Sequence, residues 1–316
     1  MLVYAAVVNL DRLRASDATV RRLALSSVVV NVLLVVTGGA VRLTGSGLGC
    51  PTWPKCTDSS YHNTPAYGFH GYIEFGNRLL TFVVAVVVTL TFLAAVFAVR
   101  RRRSVVWLSF VNGLTIPAQA VIGGLTVLTK LNPYVVAAHF LFTVLIIAAS
   151  YALWKRTREG DEPARSVVRP PLRPLTAGLA GLTVVVLTIG TVVTGSGPHA
   201  GDQHAKRTGL DPGMIAQLHA DAVMLLIGAS VAAWFAFRAT DAPHPVRRAA
   251  LVLVGLELGQ GAIGFVQYFT HLPVLLVGLH MAGSAAVWLA ALALLFATRT
   301  RGPVPAGRAS SAVLPE

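Results

Sequence analysis

The chain has 316 residues, of which 54% are apolar and only 12% charged, against roughly a quarter charged in soluble domains. A water-soluble globule would lack the polar surface to cover itself, so the composition points to a polytopic helical membrane protein. The formal charge of +13 would suggest nucleic acid in a soluble domain, but the basic residues stand in short clusters between apolar runs, and no nucleic acid is expected.

The apolar runs fall at about 23–43, 72–98, 105–127, 134–154, 175–194, 214–237, 249–268 and 274–298. Each is close to the roughly 20 residues that a bilayer-crossing helix needs. They are continuous rather than alternating, which excludes a porin-like barrel. Residues 1–10 are apolar but too short to span, and no small-residue cleavage site follows them, so a removed signal peptide is not expected. Residues 1–22 read as a tail, 23–154 as one half of four spans, 155–174 as a polar linker, 175–298 as a second half of four, and 299–316 as a disordered Pro/Gly/Ser-rich tail.

Of the 26 Lys and Arg residues, 20 lie in the two tails and in alternate connections: Arg100 to Arg103, the linker from Lys155 to Arg173, and Arg238, Arg247 and Arg248. The other connections carry few. This bias predicts a cell-membrane protein with both termini cytoplasmic, and the even span count agrees.

The halves read as a tandem repeat. Gln119-Ala-Val-Ile-Gly-Gly in the third span is followed after 20 residues by His139. Gln260-Gly-Ala-Ile-Gly-Phe in the seventh is followed after 20 residues by His280. Thr44-Gly-Ser-Gly ends the first span and Thr194-Gly-Ser-Gly the fifth. Four is an even number of helices, so both copies share one orientation.

Ionisable residues within a bilayer are costly and mark function by default. His139, His219 and His280 lie in or at the outer ends of spans, and His70 just before the second. His219 and His280 come from different helices and suit axial ligation of a haem held in a bundle. The place 62 residues before His139 holds Asn77, a poor haem ligand. His70 precedes Asn77 by nearly two turns and is the candidate substitute. Glu74 lies between them and offers an intramembrane acid/base group; the alternative is a structural Glu74–Arg78 pair across one helical turn. Cys50 and Cys56 share the first outer loop, where a disulfide is expected; a redox-active pair is the alternative. Gln119 and Gln260 are candidates to support the histidines, or else glue between helices. Pro117 predicts a kink in the third span.

Two stretches carry a family resemblance. Arg42-Leu-Thr-Gly-Ser-Gly-Leu-Gly-Cys-Pro-Thr-Trp-Pro-Lys-Cys56 resembles the first-loop signature of the haem A synthases, and Glu74-Phe-Gly-Asn-Arg78 resembles their Glu-x-x-His-Arg motif. The likeness spans about residues 23–298. It implies eight spans in two four-helix halves and an oxidoreductase that converts the C8 methyl of haem O to a formyl group, making haem A for terminal oxidases. It further implies haem b in the second half on His219 and His280, and haem O as substrate in the first half with His139 as a ligand. Glu74 then matches the family's catalytic glutamate, and Cys50 and Cys56 its outer cysteine pair. Arg42 and Arg78 could pair with haem propionates. The chain departs from the pattern twice. Asn77 stands where the family has a histidine, so either His70 substitutes or His139 binds alone. The outer loop Ser196–Gly213 has no cysteines.

The partners implied are a haem O synthase, terminal-oxidase assembly factors, an electron acceptor and membrane lipid, with homo-oligomerisation left open. A di-haem b-type electron-transfer cytochrome is the alternative reading. A cofactor-free repeat transporter is a weaker rival, because the polar residues cluster toward one face rather than at the midplane.

Overall fold

The structure, a computed structural model, describes residues 14–303. Eight helices long and apolar enough to cross a membrane run in sequence: α1 Asp17–Leu43, α2 Gly68–Val96, α3 Arg103–Leu128, α4 Pro133–Thr157, α5 Leu172–Ser196, α6 Pro212–Ala239, α7 His244–Phe269 and α8 Val274–Ala297. The predicted all-α polytopic architecture is therefore present.

Helix ends follow local chemistry rather than the edge of the apolar run. α1 begins at Asp17, so Arg21 and Arg22 belong to the helix and not to a tail. Ser16 causes this: its hydroxyl accepts from the Thr19 N–H and satisfies a donor the helix leaves free. Asn132 and Asp211 cap α4 and α6 in the same way, each followed by a proline in the first turn. α3 stays one helix through Pro117.

α1 to α4 pack in a ring, each against its neighbours in sequence and α4 back against α1. α5 to α8 form a second ring, and the rings meet along α1 and α4 against α8 and α5. One apolar core crosses that seam, joining Val35, Val144 and Ile147 to Leu187, Ala285 and Trp288. The Trp288 indole donates to the Val144 carbonyl across it at 2.9 Å.

A repeated turn supports duplication. Between α3 and α4, Lys130 and Leu131 have φ of 51° and 57°; between α7 and α8, His271 and Leu272 have 61° and 59°. Left-handed residues other than glycine are uncommon, and here they recur at matching places. In both turns an amide closes the helix end, Leu131 onto the Thr126 carbonyl at 2.8 Å and Leu272 onto Gln267 at 2.7 Å.

The bundle has two unlike ends. One carries His70, His139, His219, His280 and the Cys50–Cys56 loop. The other carries the arginine-rich connections and both described chain ends. At that end Arg165–Ser166 (β1) pairs antiparallel with Arg299–Thr300 (β2). The region expected to be a disordered tail from 299 is therefore ordered through 303. The Gly160 amide donates to Gly302, and Glu159 lies 3.9 Å from Arg299 and 3.7 Å from Arg301. The expectations for residues 1–13 and 304–316 lie outside the described residues.

Candidate functional site

Three histidines are seated by one device. The His139 ring on α4 lies over Gly123 of α3, His219 on α6 over Gly190 of α5, and His280 on α8 over Gly264 of α7. A Cβ at those glycines would stand 3.0, 3.2 and 3.5 Å from the respective imidazole Cε1. The seats at Gly123 and Gly190 are thus tight for any side chain, whereas the seat at Gly264 leaves ordinary van der Waals room. Gly123 and Gly264 each follow the repeated glutamine by four residues, so the same helical face supplies glutamine and seat.

The repeat has a fourth position, on α2 against α1, and Asn77 takes it. Its Oδ1 accepts from the Thr37 hydroxyl at 2.7 Å. An amide anchored to a threonine occupies the place where a fourth imidazole would complete the pattern.

In the second half the His219 and His280 ring centroids are 6.4 Å apart. Two imidazoles sharing one metal ion through bonds of about 2 Å would have this separation. Among the described residues no cluster of three or more His, Cys, Asp or Glu side chains could hold a metal. Two facing imidazoles without a third protein ligand are the donor set of a haem, whose porphyrin supplies the rest. The Nδ1 atoms of His139, His219 and His280 are buried without a hydrogen-bond partner, as are Gln119 Oε1 and Gln260 Oε1. Gln119 turns its amide nitrogen to the Thr143 hydroxyl at 2.6 Å and the His139 carbonyl at 3.1 Å. Gln260 instead lies against the bare backbone of Gly283.

The remaining predicted site residues hold the histidine-bearing end of the bundle together. Glu74 is buried, and both its oxygens are used. Oε2 accepts from the Cys50 amide at 2.7 Å, and Oε1 from the Arg78 guanidinium at 2.6 Å. Arg78 also donates to the carbonyls of Cys50, Thr52 and Lys55. The pair pins a loop closed by the Cys50–Cys56 disulfide. The same loop lays Trp53 over Gly124 of α3 and backs Gly49 onto the backbone of His70, both so closely that a Cβ would not fit.

His70 stands exposed at the rim, where its Nδ1 meets the Ser46 hydroxyl at 2.9 Å. Arg42 crosses to the other half and donates to the carbonyls of His199 at 2.6 Å and Thr194 at 2.8 Å. Both arginines that the sequence offered to propionates are thus bonded to backbone carbonyls.

Sequence reasoning passed over three features. Thr37 had no visible role until Asn77 was beside it. The glycine seats carry a signal, a glycine four residues after each repeated glutamine. Glu257 in α7 was legible as the lone acid in Leu251-Val-Leu-Val-Gly-Leu-Glu-Leu.

The fold and site define an eight-helix, duplicated membrane protein with a paired-imidazole centre in its second half. The chain belongs to the COX15-CtaA family of cytochrome oxidase assembly proteins, whose family model matches residues 21–201. It is similar to the heme A synthase of Geobacillus thermodenitrificans, 34% identical over 146 residues that make up 45% of this chain. Against that protein and its Geobacillus kaustophilus counterpart the chain spans less than half of the relative's length, 44% and 43%. The heme A synthase of a Caulobacter species is 29% identical over 341 aligned positions, covering 90% of this chain and 97% of that one.

Proposed function

We propose that the chain is a haem A synthase, an oxidoreductase that converts the C8 methyl of haem O to the formyl of haem A. The observation that carries the reading is the His219–His280 pair at 6.4 Å, within a chain of this family. His219 and His280 would hold haem b, and His139 the iron of the substrate haem O. When bound, haem iron supplies the electron transfer and C–H oxidation that no protein side chain provides.

The chain's own residues orient and enclose. The glycines beside the imidazoles let each ring bring its Cε1 edge against a neighbouring backbone, which restricts the ring's rotation. Asn77, tied to Thr37, offers no second imidazole to the first half, which leaves His139 as its one strong donor. Glu74 and Arg78 hold the Cys50–Cys56 loop across the outer mouth of that half and limit water there. The Glu74 carboxylate is also the group in that half suited to holding a proton. The charge bias supports a cell-membrane location with both termini on the cytoplasmic side. A haem O synthase, oxidase assembly factors and an electron acceptor are the partners in this reading.

Haem extraction and mass analysis from cells that express this chain with a haem O synthase tests it. Haem A should appear only with this chain and disappear in Glu74→Ala. Red, folded protein that leaves haem O unchanged and retains two b-type haems would establish the di-haem electron-transfer cytochrome instead.

A further inference from the structure

The second half contains a buried acid that the proposed reaction does not use. Glu257 sits near the middle of α7 and is 3% exposed. One oxygen accepts from the Ser230 hydroxyl of α6 at 2.9 Å, and the other, Oε2, is buried without a partner. Glu257, Gln260 and Gly264 are spaced three and four residues apart, so they share one face of α7. Gln260 lies against Gly283, one turn from His280, and Gly264 seats the His280 ring. The carboxyl is therefore about 10 Å along the helix from the paired imidazoles, with one polar side chain between.

Nothing near Glu257 compensates a charge. α6 and α8 pack on α7. α8 carries one ionisable side chain, His280. On α6, His219 is three turns from Ser230, Asp221 is exposed and bonded to Gln217, and Arg238 stacks on Trp234. On α7 itself, Arg247 and Arg248 lie more than two turns away, toward the arginine-rich end. An ionised carboxylate without a cation is costly at this depth, whereas the neutral acid has an O–H to donate and loses no pairing.

We propose that Glu257 is a proton-binding site coupled to the electron held by the second half: its carboxylate takes up one proton when the His219–His280 centre is reduced and releases it on oxidation. The inference rests on the proposed haem at that centre. The balance is one electron from a one-electron donor to iron and one proton from bulk water to a Glu257 oxygen, with no bond broken in the protein. Adding an electron makes the neighbourhood more negative, which favours the protonated acid through Coulomb interaction across low-dielectric protein. The unpartnered Oε2 is the atom free to accept the proton.

The test is a spectroscopic redox titration of the haem-loaded full chain at a series of pH values, with dithionite as reductant. In the wild type the midpoint potential should fall as pH rises. In Glu257→Gln most of that slope should vanish, while the bis-imidazole spectrum stays unchanged. Ser230→Ala removes the one hydrogen bond donated to the carboxylate and should displace the sloping region to higher pH. Reduced-minus-oxidised infrared spectra of the wild type should show a carboxylic C=O band that gains intensity on reduction and moves in deuterated water. This arm needs no variant and decides the matter if Glu257→Gln fails to load haem. Equal slopes in wild type and Glu257→Gln, or no carboxylic band on reduction, overturn the inference alone. A chain that binds no haem at His219 and His280 overturns the reading beneath it as well.

Discussion

Ser150 in the first half and Ser230 in the second both lie buried among helices, and they keep different company. Ser150 exchanges hydrogen bonds with Asn112 at 3.1 and 3.2 Å and accepts from Asn31 at 3.3 Å. Nearby, Ser27 meets Thr91 at 3.1 Å. Four helices are joined there by neutral side chains whose donors and acceptors answer one another. Ser230 has a single partner, Glu257, and that partner keeps an orphan oxygen. The outer ends differ in the opposite sense. The first half is closed by the disulfide loop and has one histidine facing an asparagine position, whereas the second has no such loop and presents two histidines. One duplicated scaffold has thus been fixed internally and covered in one copy, and left titratable and paired in the other. That division is what the proposed reading asks for, with a substrate that enters and leaves one half and a cofactor that stays in the other.

The largest effect should come from removing either half of the imidazole pair. His219→Ala or His280→Ala should abolish retention of the haem proposed for that pair, while His139→Ala should leave its visible spectrum intact. If His139→Ala also removed that spectrum, the halves would not be separate sites. Next, Asn77→His should give the first half the imidazole its repeat position lacks. A second low-spin haem should then copurify, and the proposed turnover of haem O should fall because the first half gains a second imidazole donor. Pigment content per chain checks this directly.

The glycine seats should rank by clearance. Alanine at Gly123, where a Cβ would meet the imidazole at 3.0 Å, should disturb its histidine more than alanine at Gly190, at 3.2 Å. Alanine at Gly264, at 3.5 Å, is in ordinary contact and should be tolerated. Haem retention and absorbance maxima of the three variants test the order. A smaller loss is expected from Asn112→Leu, which strips Ser150 of its best partner. Hydrogen bonds between membrane helices average about 0.6 kcal/mol, so thermal unfolding in detergent should shift by a few degrees at most.

The smallest effect concerns the arginine-rich end. Burial pushes the Asp161 carboxyl up, but hydrogen bonds from Arg102 and Arg156 at 2.9 and 2.7 Å outweigh it and hold the group below its ordinary value. Its contribution is therefore present above the unfolded carboxylate range and lost as pH falls through the folded value. Asp161 is half exposed, so solvent and salt screen the pair. Asp161→Asn should cost a little stability at neutral pH and flatten the loss in acid, where the wild type has given up the same contribution.

Eight spans and the repeat were legible because long apolar runs and equal Gln-to-His spacings survive in one dimension. The pairing of His219 with His280 was legible for the same reason. The work of Arg42 and Arg78 was not, since a guanidinium that donates to backbone carbonyls leaves no mark on the residues it binds. Glu74 showed its one-turn spacing to Arg78, but not that the Cys50 amide would take its second oxygen. Helix starts ran past the apolar edges because a cap at Ser16 acts on the backbone whatever the polarity of the next residues.

The strap between Arg165–Ser166 and Arg299–Thr300 also orders events in time. Arg102, Arg156 and Asp161 are all made before the second half begins, so their cluster can assemble early on the ribosome. β2 follows the last helix, so the linker cannot be fastened until all eight have emerged. The linker is therefore fastened last, by the last of the described residues.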